Sequence, residues 1–518
     1  MLCDASTRGP ARAQEGGAAP PAGDARSLGR ELFARTWSSD DPRCHGGDGL
    51  GPVYNATSCV ACHGLGGPGG AGPSGMNVQL ISAVGDEITG EFGFQSNAVT
   101  VLPKGPDPRV PDLTPISERV DLVYGIAYLH LSTGPAGGRF RDGLVFSANG
   151  TTLKAHEFDL RLNLNGGDSE LSCAGGSITA KSFTLKPDED GLRRIHPGLV
   201  AAPSAVIHHY GVDPRYEAWR SRLMARIRAS GVRSDRGLKI AGGRILASQR
   251  NAPPLFGLGL IDNLPDEVLV AAAERESPQI RGRVSRMKSG RIGRFGWKAQ
   301  TTDLREFVLG ACAGELGLEV PGHPQAISPL AADLKARALD LTPEGCDALV
   351  AYVKALPAPI RLDDSDFPSI EAGRQAFEEI GCADCHRPSL GNIEGIYSDL
   401  LLHDMGPDLT SVTVEVYYGP PEKVDVPTAA SMADGTEWRT PPLWGYRDSG
   451  PYLHDGRARN LVEAVRAHKG QARDSAARFL HSPHQRQSLI ERFLKSLAAP
   501  APAEPTVIAD AHPFTSRR

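Results

Sequence analysis

The sequence predicts a mainly α-helical protein built as two related units in tandem, the first opened by a long β-containing insertion. Three observations carry this expectation. First, four strings recur in the same order. Gly29–Phe33 (GRELF) returns as Gly373–Phe377 (GRQAF), and a Cys-x-x-Cys-His run stands at 59–63 and again at 382–386. Asn251–Gly257 (NAPPLFG) returns as Arg439–Gly445 (RTPPLWG), and Gly296–Val308 aligns without gaps to Leu453–Val465, pairing Leu304 with Leu461, Glu306 with Glu463 and Val308 with Val465. Second, nearly 190 residues separate the first Cys-x-x-Cys-His run from NAPPLFG, against about 50 in the second unit. Third, within that excess Gly143–Gly167 alternates apolar and polar residues around Asn-Gly turns, the pattern of antiparallel hairpins.

In chain order, residues 1–27 read as a Pro/Ala/Gly-rich disordered leader without an apolar h-region. GRELF and GRQAF each read as the helix leading into the Cys-x-x-Cys-His turn. The first unit runs over 28–358, with its insertion at about 77–248; Asp213–Ser230 inside it regains helical spacing. Leu341–Pro359 closes the unit with a Thr-Pro-Glu helix start and a proline stop. The second unit runs over 359–498, and 499–518 read as a flexible Pro/Ala-rich tail. A length of 518 residues implies two to four domains. The net charge of −5, from 56 Lys+Arg against 61 Asp+Glu, leaves no basic footprint for nucleic acid. No run of apolar residues is long enough to span a membrane.

The two Cys-x-x-Cys-His runs define the chemistry. This spacing is the attachment signature of c-type haem. Two thiols on one turn reach the two vinyl groups of the macrocycle, and the adjacent histidine lies under the iron. Zinc or a redox dithiol would need no histidine at the next position, yet both runs have one. Two covalently bound haem c are therefore expected, on Cys59, Cys62 and His63 and on Cys382, Cys385 and His386, making both units cytochrome c-like haem domains. Covalent attachment takes place outside the energy-transducing membrane, so a periplasmic or otherwise exported protein is expected, with the start of the chain truncated or wrongly chosen. Of the other cysteines, Cys3, Cys44, Cys173, Cys312 and Cys346, the pair Cys312 and Cys346 reads either as a disulfide or as buried free thiols.

The order of these motifs resembles the bacterial di-haem cytochrome c peroxidase and MauG superfamily. It is most similar to the branch of di-haem oxidoreductases named peroxidases or thiol oxidoreductases by resemblance. The carrying strings are GDGLGPVYNATSCVACHGLGGPGGAGP, NAPPLFGLGLIDNLPDE, GRFGWKAQ, SDLLLHDMGPDL and RTPPLWGYRDSGPYLHDGRARNLVEAV, over about residues 28–495. The resemblance implies that the C-terminal haem receives electrons from a small soluble cytochrome or cupredoxin while the N-terminal haem does the oxidative chemistry. Trp297, at the place of the family's FWDGR tryptophan, is implied to lie between them; otherwise it is a core aromatic.

The second axial position decides what each iron can do, because an iron with two protein ligands only transfers electrons. Fourteen residues beyond His454, where the peroxidases carry Met and MauG-type enzymes Tyr, stands His468, which the resemblance favours as the C-terminal axial ligand, with Met405 as the alternative. His454 is implied to lie near the C-terminal haem edge, and Arg457 to pair with a propionate; both could equally fix loops. The counterpart of His468 in the first unit is Ala311, which cannot ligate iron. His208 and His209 are adjacent, weaker candidates for a distal ligand there. Glu315 corresponds to the family's distal acid–base glutamate, or is a solvated helix-end carboxylate. Calcium between the units is in doubt, because Gly257 replaces a family asparagine; carbonyls near Ser449 to Tyr452 remain as donors. The expected activity is reduction of hydrogen peroxide. MauG-like oxidation of a protein or small molecule is the alternative, and a plain di-haem electron carrier is the third reading.

Overall fold

The computed structural model describes residues 22–85, 87–100, 117–120, 127–128, 137–140, 144–148, 151–165, 172–185, 187–230, 237–275, 280–362, 367–411, 425–428 and 431–500, with side chains described outside 22–24 and 87–185. The helices that frame the candidate site are α1 (Ala22–Ala34), α2 (Leu304–Glu315), α3 (Pro343–Lys354), α4 (Phe367–Glu379), α5 (Leu461–Ala467), α6 (Arg473–His481) and α7 (His484–Ser496).

The two GR-x-x-F strings lie on helices that pack in the same way. α1 crosses α3, and α4 crosses α7. A Cβ on Gly29 would stand 2.0 Å from the Ala348 carbonyl oxygen and 2.7 Å from Tyr352 Cβ. A Cβ on Gly373 would stand 2.0 Å from the Leu489 carbonyl oxygen and 2.9 Å from Phe493 Cβ. At both crossings only glycine allows the backbones this close. The phenylalanine four residues on, Phe33 or Phe377, is buried in the adjoining core.

The aligned segments also start alike. Asp303 caps α2 by accepting from Glu306 N, and Asn460 caps α5 by accepting from Glu463 N. α3 begins as its sequence foretells, with Thr342 accepting from Gly345 N and Pro343 in the first turn.

The architecture is mixed rather than mainly α. A four-stranded antiparallel sheet runs in the order Ser204–Ile207, Val78–Gly85, Gly243–Arg250, Leu238–Ile240. In it Val78 lies opposite Arg250 and Gly85 opposite Gly243, so the chain leaves and returns along one strand pair. A seven-stranded sheet lies between them in sequence. Leu144–Ala148 pairs with Thr151–Asn165 so that Ala148 lies opposite Thr151, and Asn165 lies opposite Ser172. The hairpins expected over 143–167 thus extend much further, because Glu87–Thr100 and Ser172–Leu185 pair along most of their length. Their glycines and serines broke the alternation that would have marked them as strands.

One further expectation is corrected, and one open alternative is decided. The leader does not reach residue 27: α1 begins at Ala22, directly after Pro20-Pro21, where proline favours a helix start and Ala22, Ala25, Arg26 and Leu28 sustain it. Cys312 and Cys346 form no disulfide; both are free thiols in one apolar core with Leu309, Leu349 and Val353, where packing alone accounts for them. Cys3, the tail beyond residue 500 and the side chain of Cys173 lie outside what is described. Among the described residues, no helix is long and apolar enough to cross a membrane.

Candidate functional site

Two large cavities, about 1380 and 1620 Å³ including their solvent-facing mouths, each carry one Cys-x-x-Cys-His run on the wall. In the first, Cys59–Cys62 form a single helical turn, held by the Ser58 side chain accepting from Ala61 N and by His63 N donating to Cys59 O at 3.0 Å. The turn puts both thiols on the cavity wall and delivers His63 beside them. His63 Nδ1 donates to the carbonyls of Pro253 (3.1 Å) and Gly70 (3.2 Å), which accept only, so Nε2 keeps its lone pair. Burial pushes the His63 pKa down to about 4, and the Cys59 and Cys62 thiols up to about 12. Neutral imidazole is the ligating form, whereas thiols this hard to ionise are unlike reactive dithiols.

The second cavity repeats the arrangement. His386 N donates to Cys382 O at 3.0 Å, and His386 Nδ1 donates to Tyr397 O at 3.0 Å. Burial again pushes this imidazole down to about 4, with His468 close enough to add to the effect. His468 stands at the C-terminal end of α5 with Nδ1 donating to Ala464 O at 2.8 Å, so its Nε2 also keeps a lone pair. Met405 lies on the same wall, its carbonyl accepting from Lys469 N. Both axial candidates therefore reach the cavity.

Trp297, Asn251 and Pro253 line both cavities. The Trp297 indole is fixed by Nε1 donating to Asn251 O at 2.9 Å. Its ring meets His454 edge-on at 6.4 Å between centroids, and His454 in turn stacks on Trp438 at 3.7 Å. Lys298 Nζ lies 3.9 Å from the centroid of the Trp438 ring and donates to the carbonyls of Asp434, Gly435 and Glu437. His454 is buried on the second cavity. Arg457 is not on either wall: its side chain is half exposed and paired with Asp455.

Glu315, the last residue of α2, lies on the first cavity with Ala311. Asn55 holds it from two sides, Nδ2 donating to the carboxylate and the backbone N donating to Glu315 O at 2.7 Å. His208 and His209 are not on the wall. His208 Nε2 donates to Gly314 O at 2.7 Å and His209 N donates to Asn55 Oδ1 at 2.9 Å, so both brace the Glu315 end of the helix from behind. Gly257, with φ of 70°, packs on Trp444 and offers no side-chain oxygen for calcium.

Two polar pairs escaped the sequence reading. Asp399 and His403 form a fully buried ion pair at 3.0 Å on the second cavity, with His403 Nδ1 also 2.9 Å from Gln471 Oε1 and 3.6 Å from Cys385 Sγ. Burial works against the charged imidazole, yet the hydrogen bonds to Asp399 and Cys385 carry its pKa up to about 11. On the first cavity, His323 Nε2 donates to Glu306 at 3.0 Å. The sequence around His403 and the VPGH string at 320–323 were the available signals.

A family model described as "di-haem oxidoreductase, putative peroxidase" matches residues 230–497. Hydrazine synthase subunit gamma of Kuenenia stuttgartiensis is 26% identical over 183 residues, 31% of this chain and 51% of that protein, so the chain spans about half the length of the curated relative it matches. Among solved structures, the chain is similar to the Kuenenia stuttgartiensis hydrazine synthase at 20% identity, covering 48% of this chain and 73% of that one with a TM-score of 0.28. It is similar to a MauG-like protein associated with microbial copper homeostasis at 14% identity, covering 46% of this chain and 90% of that one with a TM-score of 0.26. The family match takes in Trp297, Glu315, the second Cys-x-x-Cys-His run and His468, and it covers more than half of the 518 residues: the chain belongs to the di-haem oxidoreductase family.

Proposed function

We propose that the protein is a periplasmic peroxidase carrying two covalent haem c, which reduces hydrogen peroxide in the first cavity with electrons that enter through the second. Its units are 28–358, with an insertion at about 77–248, and 359–498. The observation that carries this reading is the pairing of Ala311 with His468. They are matched in the internal alignment, and each lines the cavity of its own Cys-x-x-Cys-His run. One wall carries a second imidazole, the other a methyl group in its place.

The residues present suit the cofactor. Paired thiols and an imidazole with its lone pair unengaged stand on each wall, as thioether attachment and axial ligation require. When bound, the haems would supply redox-active iron. Cys59, Cys62 and His63 hold one; Cys382, Cys385, His386 and His468, or Met405 in its place, hold the other.

The chain's own part in the reaction is proton handling and orientation. Glu315 takes a proton from one peroxide oxygen and returns it to the other, so that the departing oxygen leaves as water. Asn55 keeps the carboxylate aimed by gripping both its side chain and its carbonyl. Trp297 bridges the two cavities as a route for electrons, and a small soluble cytochrome or cupredoxin is the donor. The overall change is one peroxide, two electrons and two protons to two waters.

MauG-like oxidation of a separate substrate is the second reading. The continuous run of rings Trp297, His454 and Trp438 favours it, because it offers oxidising equivalents a way out of the first cavity. Peroxide-dependent oxidation of a reduced cytochrome, measured beside covalent haem content, tests the first reading. Two thioether-bound haems with turnover support it. Two haems with no turnover, and a long-lived oxidised state after peroxide, select the second.

A further inference from the structure

The capping glutamates of α2 and α5 occupy equivalent places but do different work. Glu463 turns back on its own helix start, accepting from Arg459 N at 2.9 Å and from the Arg459 guanidinium at 2.7 Å. Glu306 turns away and accepts from His323 Nε2 at 3.0 Å. His323 comes from a separate, well-fixed turn. Val320 and His323 exchange both backbone hydrogen bonds around Pro321-Gly322, and Gly322 has φ of 83°. Proline followed by a positive-φ glycine is what a type II turn asks for. The VPGH string therefore builds a rigid bracket for one imidazole.

That imidazole is 7% exposed, yet both of its nitrogens face acceptors: the Glu306 carboxylate at Nε2 and the Pro321 carbonyl at Nδ1, 3.3 Å away. Only the doubly protonated ring satisfies both. The hydrogen bond to Glu306 raises the His323 pKa above its ordinary value, against burial. Arg305 opposes the effect but is itself engaged by Asp347. The Glu306 side chain is 41% exposed, so the pair joins solvent to the wall of the first cavity. The other titratable or charged groups on that wall are Glu315, Arg250, His63 and the thiols of Cys59, Cys62 and Cys312.

We propose that Glu306 and His323 form the proton relay of the first cavity: they share the Nε2–H···Oε2 proton, which is exchanged with solvent and with the cavity through the Glu306 carboxylate while His323 carries the charge. The relay rests on the reading of this cavity as the one open to small ligands. Glu315 moves a proton between peroxide oxygens but supplies none in net terms, while each peroxide consumes two. A proton that leaves the Nε2–H···Oε2 pair for the cavity is replaced from bulk water at the Glu306 carboxylate, so atoms and charge balance. The same path works outward: a weak acid that binds as its anion leaves its proton behind, and the relay removes it.

Hydrogen cyanide is the probe, because it must lose its proton to bind ferric haem. Stopped-flow binding to the first-cavity haem of the holoprotein is followed across neutral pH in light and heavy water. Glu306→Gln and His323→Gln are each expected to slow binding about tenfold or more and to abolish the solvent isotope effect, with haem content and spin state unchanged. Glu306→Asp is expected to recover most of the rate. Rates within about twofold of wild type in both variants, with the isotope effect intact, overturn the relay and leave the peroxidase reading standing. A wild-type protein that binds no cyanide overturns that reading, and the relay with it. As an independent readout, the His323 imidazole followed by NMR is expected to titrate above the ordinary histidine value and to drop in Glu306→Gln; ordinary titration in the wild type also overturns the relay.

Discussion

Ala311 and His468 are equivalent in the internal alignment, yet the helices that carry them end differently. α5 stops at Ala467, leaving His468 as its cap on the second cavity, whereas α2 runs through Ala311 to Glu315. The sequence after His468 enforces the stop. Gly470, with φ of 48°, lies against the Asp404 backbone, where a Cβ would stand 2.3 Å from the carbonyl oxygen. One extension of helix thus gives the first cavity a carboxylate, and one early stop gives the second an imidazole.

The axial assignment follows from that difference. In the holoprotein the second haem should be low-spin and closed to cyanide, while the first should be at least partly high-spin. His468→Ala should convert the second haem to high-spin and let a second equivalent of cyanide bind. His468→Met should raise its potential, because thioether sulfur favours ferrous iron. Electron paramagnetic resonance of each variant decides the matter: a low-spin signal that survives His468→Ala and disappears in Met405→Ala assigns the position to Met405.

Glu315→Gln keeps size and the hydrogen bond from Asn55 but removes the exchangeable acid. Peroxide turnover should fall by about two orders of magnitude or more, with haem content and the second redox couple unchanged. Asn55→Ala leaves the carboxylate in place but unheld, so its loss should be smaller and should appear in kcat rather than KM. Steady-state kinetics of both variants, with turnover preserved in Glu315→Gln as the contrary result, checks the assignment.

Gly29→Ala and Gly373→Ala test the two matched helix crossings. Each new methyl would meet a backbone carbonyl at 2.0 Å, so the helices must separate rather than a side chain rotate away. Each substitution should cost about 1–3 kcal/mol or more, since overpacking against backbone finds no easy relief. Thermal unfolding that leaves both variants as stable as wild type would mean that these crossings relax freely.

These crossings explain why so much of the frame was legible in the sequence. The repeated GR-x-x-F strings marked two equivalent helices, and the Thr342-Pro343 start is a local signal whose physical cause lies within a few residues. The strands of 87–100 and 172–185 were not legible, because cross-strand pairing offsets their weak propensity and pairing partners lie far apart in sequence. The Asp399–His403 pair was hidden for another reason. Its i, i+4 spacing suggests a helix, but the chain there is extended and turned, with positive φ at Tyr397 and Leu400. Glu306 and His323 are brought together only by the VPGH turn, and nothing in the helix pattern points to it.

The buried Asp399–His403 pair gives stability a definite pH dependence. His403 has its pKa raised to about 11 in the folded protein against 6.5 for the free side chain. Asp399 lies below the ordinary carboxylate value: burial pushes it up, but the His403 hydrogen bond outweighs this. For the histidine, the folded state keeps a proton that the unfolded state releases above its own pKa. Its contribution is thus fully present below about pH 6.5 and is lost as pH rises toward 11, at a limiting slope of about 1.4 kcal/mol per pH unit. The aspartate runs the other way, present above about 3.8 and lost as pH falls below it. The thioether that the proposed haem attachment entails at Cys385 would withdraw that thiol's share of the histidine shift and leave Asp399 as the dominant partner. Asp399→Asn keeps the shape and one acceptor but removes the charge. The variant should lose several kcal/mol at neutral pH, in the range of about 3–5 kcal/mol measured when one member of a buried pair is removed. It should also lose the decline in stability above neutrality. Denaturant unfolding of both proteins at a series of pH values provides the measurement. Parallel pH curves for wild type and Asp399→Asn would mean that His403 is neutral in the folded protein and that the pair is held by an uncharged hydrogen bond.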